Sequence, residues 1–349
     1  MYPHHHQEDG VNGICHGHPD QFGGGPDDLQ LCGKAIKINI AVGAKPIYLV
    51  DASIYIFRAY YSIPPTFVTK AGEAVNAVYG YTNFLLDLLE NNPEHISCAF
   101  DESLNTCYRN RIYREYKANR DLPDANLEFQ LASCQEITAL MGIHSVCLHD
   151  YEADDIIGTL QKQLAGDRPA IIVTRDKDLG QLLRAEDLLW DFASDAYAGP
   201  AEIKAKFGVD PDQIADYLAL AGDTVDNIPG AKGVGAKSAA VLLNHFGDIQ
   251  GLYERIEEIE DIGLRGAKKI KATLIAQEAM VRMFRRITSI MCDIQLEVGL
   301  EDLRPVAVDS NRVADFCQRM NFGDRLKKRV SGLTRSASAG PVFTNRTGP

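Results

Sequence analysis

The sequence predicts an α/β protein, an open and mostly parallel sheet flanked by helices with a helical subdomain behind it. Three observations lead there. Short apolar runs alternate with helical periodicity up to about residue 200, which is the pattern of parallel strands joined by crossover helices. Beyond residue 200 the periodicity is helical only. Three of the apolar runs end in acids, and in sheets of this kind ligands gather outside the carboxyl ends of the strands.

Residues 1–45 are rich in Gly and His and lack periodicity, so they read as a disordered extension. Cys15, His16 and His18 could take up a metal there, but no second ligand pair follows at finger spacing. The ordered part (46–200) opens with a strand at 47–50 that runs into Asp51. Val78, Tyr81, Leu85 and Leu88 give 73–91 helical spacing. A strand at 95–100 ends at Asp101. Residues 103–125 are polar, basic and aromatic, with little apolar stripe. A helix over 127–141 and a strand over 142–148 come next, then an amphipathic helix marked by Ala153, Ile156, Ile157, Leu160 and Leu164. A strand at 169–174 leads to Asp176 and Asp178, and 188–192 reads as one more. The helical subdomain (201–330) has helices at 211–221 and 237–245, a Gly-rich turn at 228–236 between them, and further helices over 254–290. Residues 331–349 read as a flexible tail.

Composition narrows the function. No apolar run is long enough to span a bilayer, and the start has no basic region followed by an apolar core. The first arginine is Arg58, which argues against an Arg-rich transit peptide. The eight cysteines form no CxxC pair and read as reduced thiols of a cytosolic protein. A net charge of −12 looks wrong for a nucleic-acid binder. Nine of those charges, however, sit in five clusters: Asp51, Asp101, Glu152/Asp154/Asp155, Asp176/Asp178 and Asp223/Asp226. Without them the chain is close to neutral, and its basic residues are segregated. Arg109, Arg111, Arg114, Lys117 and Arg120 share 109–120 with one acid, Glu115. Local field governs binding to a polyanion more than net charge does.

Gathered acids repel and lose water, so a fold that collects them usually needs a hard cation; Mg²⁺ or Mn²⁺ suits carboxylate and water ligands. Helix-opening acids also suit the dipole, which would explain one or two of Glu152, Asp154 and Asp155 but hardly three. Asp223 and Asp226 follow a helix C-terminus, where acids oppose the dipole. Tyr108, Tyr113 and Tyr116 interleave with the cations of 109–120, as in surfaces that stack bases and follow a backbone. The alternative is a charge-rich surface helix. Gly230, Gly233 and Gly235 would let a backbone approach closely, and the next helix N-terminus offers a phosphate site beside Lys232 and Lys237. A Walker loop fails because an alanine separates Gly235 from Lys237 and a helix, not a strand, precedes it. A helix-hairpin-helix gripping a nucleic-acid backbone fits better; a plain interhelical turn is its alternative.

In this order the motifs resemble the 5′-3′ exonuclease and flap endonuclease family, including the N-terminal nuclease domain of bacterial DNA polymerase I in stand-alone form. The residues are Leu49-Val-Asp-Ala, Ala77-Val-Tyr-Gly, Ala99-Phe-Asp, Tyr113-x-x-Tyr-Lys-x-x-Arg120, Tyr151-Glu-Ala-Asp-Asp, Thr174-x-Asp-Lys-Asp-Leu, Gly222-Asp-x-x-Asp-Asn-Ile-Pro-Gly and Gly233-Val-Gly-x-Lys; Met320-Asn-Phe-Gly resembles the segment that closes the domain. The resemblance implies a PIN-like nuclease core with two metal ions. The ligands would be Asp51, Asp101, Glu152, Asp154, Asp155, Asp176, Asp178, Asp223 and Asp226. Residues 103–125 would form a helical arch over a 5′ strand, with Lys117 on the scissile phosphate and Arg109 and Arg120 beside it. Arg58, Tyr113, Tyr116 and the hairpin (Gly230, Lys232, Gly233, Gly235, Lys237) would also meet DNA, possibly with K⁺ at the hairpin. The expected activity is structure-specific hydrolysis of DNA at 5′ ends, flaps and junctions, in replication and repair. The expected protein is a cytoplasmic, nucleoid-associated bacterial monomer with no membrane contact and too few residues after 330 for a polymerase. Two rivals remain: a junction-binding protein whose metals only anchor DNA, and a single-strand ribonuclease of related acidic-site fold.

Overall fold

The computed structural model describes residues 44–102, 106–120 and 123–332. The expectations for the extension, except its last two residues, and for most of the tail therefore lie outside the described residues. Six strands form one sheet: β1 (Ile47–Asp51), β2 (His95–Asp101), β3 (His144–Leu148), β4 (Ala170–Val173), β5 (Leu188–Asp191) and β6 (Ala196–Ala198), in the order β3-β2-β1-β4-β5-β6. The first five pair in parallel; β6 is antiparallel to β5. The order reverses between β1 and β4. That switch point is where two crossovers leave in opposite directions and open a crevice.

Helices cover both faces. α1 (Ala52–Ser62), α2 (Asn76–Leu89), α3 (Tyr108–Ile112), α4 (Ala125–Leu140) and α5 (Ala153–Leu164) lie within the sheet region. α6 (Pro200–Phe207), α7 (Ile214–Ala221), α8 (Ala236–Phe246), α9 (Ile249–Glu254), α10 (Ala267–Thr288), α11 (Ser310–Arg319) and α12 (Asp324–Ser331) follow. β1 is buried along its whole length, and its alternation divides the core. Ile47 and Leu49 join the cluster with α5, α7, α8 and α10. Tyr48 and Val50 join the cluster with α1, α2, α4, α11 and α12. Among the described residues no helix is long and apolar enough to cross a membrane.

Several elements were not placed by the sequence reading, among them α1, β6, α6, α11 and α12. α1 begins directly at the end of β1, because the Asp51 side chain caps its first turn. β6 is a three-residue edge strand, too short to show alternation. At the opposite edge of the sheet from the switch-point acids, the buried Asp187 anchors the start of β4. It accepts the Ala170 N–H (2.7 Å), the Gln161 amide (2.7 Å) and, from Arg184, the backbone N–H (2.9 Å), Nε (2.8 Å) and Nη2 (3.0 Å). Asp187→Ala should therefore cost about 3 kcal/mol, since five donors lose their partner, the buried Ala170 N–H and Gln161 amide among them. Urea unfolding checks this; a loss under about 1 kcal/mol would show the anchor to be dispensable.

Candidate active site

Strand ends deliver the acids. Asp51 ends β1; its Oδ1 accepts the Ile54 N–H at 3.3 Å and its Oδ2 the Thr174 hydroxyl at 2.9 Å. Asp101 ends β2; its Oδ1 accepts the Ala153 N–H at 2.8 Å, and its own N–H donates to Ser53 Oγ at 3.0 Å. Thr174, just past β4, also accepts the Asp176 N–H at 2.9 Å, and Asp176 Oδ1 accepts the Asp178 N–H at 2.9 Å. Thr174 thus ties the acids on either side of the switch point together, a role the sequence reading missed. Asp223 and Asp226 sit on a loop closed by reciprocal backbone bonds between Asp223 and Ile228 (2.8 and 2.6 Å).

These carboxylates feel one another. Burial, then the charges of Asp101 and Asp176, push Asp51 up to about 7. Burial with Asp176 and Asp51 raises Asp154 well above the carboxylate range. Burial with Asp176, Asp223 and Asp226 pushes Asp178 up to about 8. Burial and Glu152 raise Asp101, and Lys117 opposes them. Two lobes emerge, Asp51/Asp101/Glu152/Asp154 and Asp178/Asp223/Asp226, with Asp176 adjoining both.

The donor set fits hard divalent cations: it is all oxygen, crowded and short of compensating charge. Among the described residues no three such side chains close on a single point. The fit is therefore to ions that keep water ligands, as Mg²⁺ does.

The basic segment corrects several expectations. Arg109 is buried and spends all five donors inside the protein. It gives Asp155 two bonds (2.6 and 2.7 Å), Glu152 one (2.9 Å), and the Ile287 and Ser289 carbonyls one each (2.8 and 3.0 Å). It has none left for DNA. Asp155, fully buried, also accepts the Met291 N–H (2.8 Å) and the Glu152 N–H (3.2 Å). Its four acceptor positions are filled, so it is the partner of Arg109 rather than a metal ligand. Tyr116 is buried too, its hydroxyl 2.9 Å from Glu152 and 3.0 Å from Asp226, so it cannot stack on a base. Tyr113 packs edge-on against Phe284 at 5.6 Å. Of the expected helical arch over 103–125, the described part is α3 followed by turns to residue 120, and then residues 123–125, where α4 begins; residues 103–105 and 121–122 lie outside the described residues.

Lys117 and Arg120 do face the acids. Lys117 has a left-handed backbone (φ 53°), rare for a side chain of this size. Its Nζ bonds Glu152 and lies 3.8 Å from Asp226. Arg120 Nη2 donates to Asp226 Oδ1 at 2.7 Å. Burial works against the Glu152 charge, but Lys117 and Arg109 overcome it and hold its carboxyl at about 2. Asp226 is raised by burial, with Lys117 and Arg120 opposing. Arg58 is exposed on α1.

In the Gly-rich turn the glycines divide. A Cβ on Gly230 would stand 2.4 Å from the Gly222 nitrogen, so Gly230 (φ 67°) serves close packing within the chain and closes the loop bearing Asp223 and Asp226. Gly233 (φ 82°) and Gly235 have open space beside them. Lys232 and Lys237 are exposed on the same turn and helix start.

Comparison with known proteins agrees with this architecture. Residues 46–208 match the family model "5′-3′ exonuclease, N-terminal resolvase-like domain" and residues 209–311 match "5′-3′ exonuclease, C-terminal SAM fold". A 5′-3′ exonuclease of Aquifex aeolicus is 31% identical over 86% of this chain and all of its own length. DNA polymerase I of Pseudomonas aeruginosa is 35% identical over 74% of this chain; the match covers 29% of that longer protein. Of the solved structures, T5 5′-exonuclease with bound zinc superposes with a TM-score of 0.59 at 18% identity, covering 82% of this chain and 97% of that one.

Two outcomes follow from the geometry. Arg109→Met leaves Asp155 buried without its counter-charge and should cost about 3–5 kcal/mol in urea unfolding; a near-neutral change would contradict the pairing. The raised acids set a pH dependence. In the fold Asp51 and Asp178 keep protons up to about 7 and 8, whereas the unfolded chain releases them near 4. Between those values the folded state binds more protons, so in chelator stability should fall as pH rises from about 4 to 8. Glu152 acts oppositely, losing its contribution only as pH falls from about 4.5 towards 2. Unfolding free energies that stay flat or rise across that range would contradict the crowding.

Proposed function

The chain belongs to the 5′-3′ exonuclease family, and on that premise we propose that it is a structure-specific 5′ nuclease acting in the cytoplasm on chromosomal DNA. It hydrolyses DNA phosphodiester bonds at 5′ ends, flaps and single-strand/duplex junctions, in replication and repair. The observation that carries this reading is the convergence of acids from β1, β2 and β4 on the switch point, beside Lys117 and Arg120.

The lobe of Asp51, Asp101, Glu152 and Asp154 would hold one divalent ion, and Asp176, Asp178, Asp223 and Asp226 would hold a second. Mg²⁺ or Mn²⁺ would supply Lewis acidity to the phosphodiester. The chain's own residues do the rest. Thr174 fixes the Asp51 carboxylate, and the Ala153 N–H fixes Asp101, so both keep their rotamers as charge builds nearby. Lys117 waits on Glu152; its ammonium would move to the scissile phosphate and neutralise charge there. Arg120, half-exposed on Asp226, would take an adjacent phosphate. Glu152 stays ionised through the exchange, since Arg109 still holds it. The open side of the turn at Gly233 and Gly235, with Lys232 and Lys237, would grip the duplex backbone as a helix-hairpin-helix; the resemblance also implies K⁺ there.

A 5′-labelled flap incubated with Mg²⁺ should be cut near the junction and stay whole in EDTA. Binding without cleavage would favour a DNA-anchoring protein, and preference for an RNA flap would favour a ribonuclease. Asp176→Asn should abolish cleavage while leaving junction affinity within about threefold; parallel loss of both would refute the division of roles. Lys117→Ala should slow single-turnover cleavage about 10²- to 10³-fold; an unchanged rate would remove Lys117 from the chemistry.

A further inference from the structure

Two lysines between the acids and the Gly-rich turn have no assigned part. Lys177 lies between Asp176 and Asp178 in sequence, and Lys206 is in the last turn of α6; both are exposed. Ile203, one turn before Lys206, packs on Gly180, three residues after Lys177, which brings the two side chains near each other; Lys206 feels the charge of Lys177 and, beyond it, those of Asp178 and Asp176. Among the described residues neither makes an ion pair with a carboxylate. Lys204, two residues earlier and so on another face of the helix, does, with Asp210 at 2.9 Å. Two facing ammonium groups repel, and an anion between them would relieve that.

The packing of α6 brings the two together. A Cβ on Gly180 would stand 2.9 Å from Ile203, so α6 presses on the turn that follows Asp178. At its other end the Gly208 carbonyl accepts the Asn244 amide at 2.6 Å, and Gly208 faces Ala240. Ala240 and Asn244 lie one and two turns beyond Lys237 on α8. α6 is therefore wedged between the acid cluster and the helix that the Gly-rich turn opens. The exposed lysine pair thus joins the acid loop to α6.

We propose that Lys177 and Lys206 together bind one phosphate of the substrate strand on the duplex side of the cleaved bond, and so fix which phosphodiester reaches the carboxylates. Both are positioning residues, and the proposal rests on the nuclease reading. An anion shared by two ammonium groups gains two charge-assisted bonds and loses their mutual repulsion. A lone surface lysine would contribute only general attraction.

The test uses the whole protein, a 5′-flap DNA and Lys206→Ala, which leaves the loop of Asp176 and Asp178 unaltered. Affinity in EDTA should fall about tenfold. The slope of log affinity against log salt should shrink by about 0.9, the share of one phosphate. Single-turnover cleavage at saturating enzyme should change under about twofold while the cut spreads to neighbouring bonds. Lys206→Arg should restore affinity and cut position, and Lys204→Ala should match the wild type. Single methylphosphonates walked along the duplex should reveal one position that weakens the wild type but not Lys206→Ala. Unchanged affinity, slope and cut position in Lys206→Ala, with wild-type cleavage intact, would overturn this proposal alone. A wild type that neither binds nor cuts the flap would overturn the nuclease reading and this proposal with it.

Discussion

Mutual repulsion among the acids at the switch point is the constraint on which the rest of this structure depends. A parallel sheet places strand ends on one edge, and here β1, β2 and β4 each end in or near an aspartate. Left alone, such a cluster would protonate or force its strands apart. The fold spreads the charge into two lobes and borrows cations from elsewhere in the chain. Lys117 and Arg120 come from more than thirty residues before the α5 acids and about a hundred before Asp226. On the proposed reading, the same charges that steady the free protein would receive the substrate.

Holding those cations needs an anchor, and the Arg109–Asp155 pair supplies it. One guanidinium joins α3, the start of α5 and the backbone at the end of α10, three parts of the chain far apart in sequence. A buried pair contributes little net stability against an apolar replacement, so its value lies in fixing geometry. Here it orients Glu152, the acid that Lys117 contacts. Asn227, donating to the Glu115 carbonyl at 2.7 Å, and Lys117 N–H, donating to the Asp226 carbonyl at 3.0 Å, stitch the basic segment to the loop of Asp223 and Asp226. Movement of either piece must be felt by the other.

Much of this was legible in the sequence. Apolar runs ending in Asp51 and Asp101 located β1 and β2, and helical spacing located α2 and α5, because burial on both faces leaves an unambiguous pattern. What stayed hidden was direction. Glu152, Asp154 and Asp155 lie within one helical turn, and the spacing does not say which faces the strands. The Glu-x-x-Asp interval is that of a capping box, of which one half forms, Asp155 Oδ2 accepting the Glu152 N–H, and reading it so would have set Asp155 apart. Arg109 and Tyr116 were misread for a related reason: composition marks a segment as basic and aromatic but cannot tell a buried fork from an exposed one. Thr174, whose hydroxyl joins Asp51 to Asp176, carries no local signal beyond its place after a strand.

The most direct measurement is anomalous diffraction from crystals of this protein soaked in Mn²⁺. Two peaks about 4 Å apart are expected, one among Asp51, Asp101, Glu152 and Asp154 and one beside Asp176, Asp178, Asp223 and Asp226, with Asp155 still closed around Arg109. Absence of manganese from that edge of the sheet, or coordination by Asp155, would contradict the account.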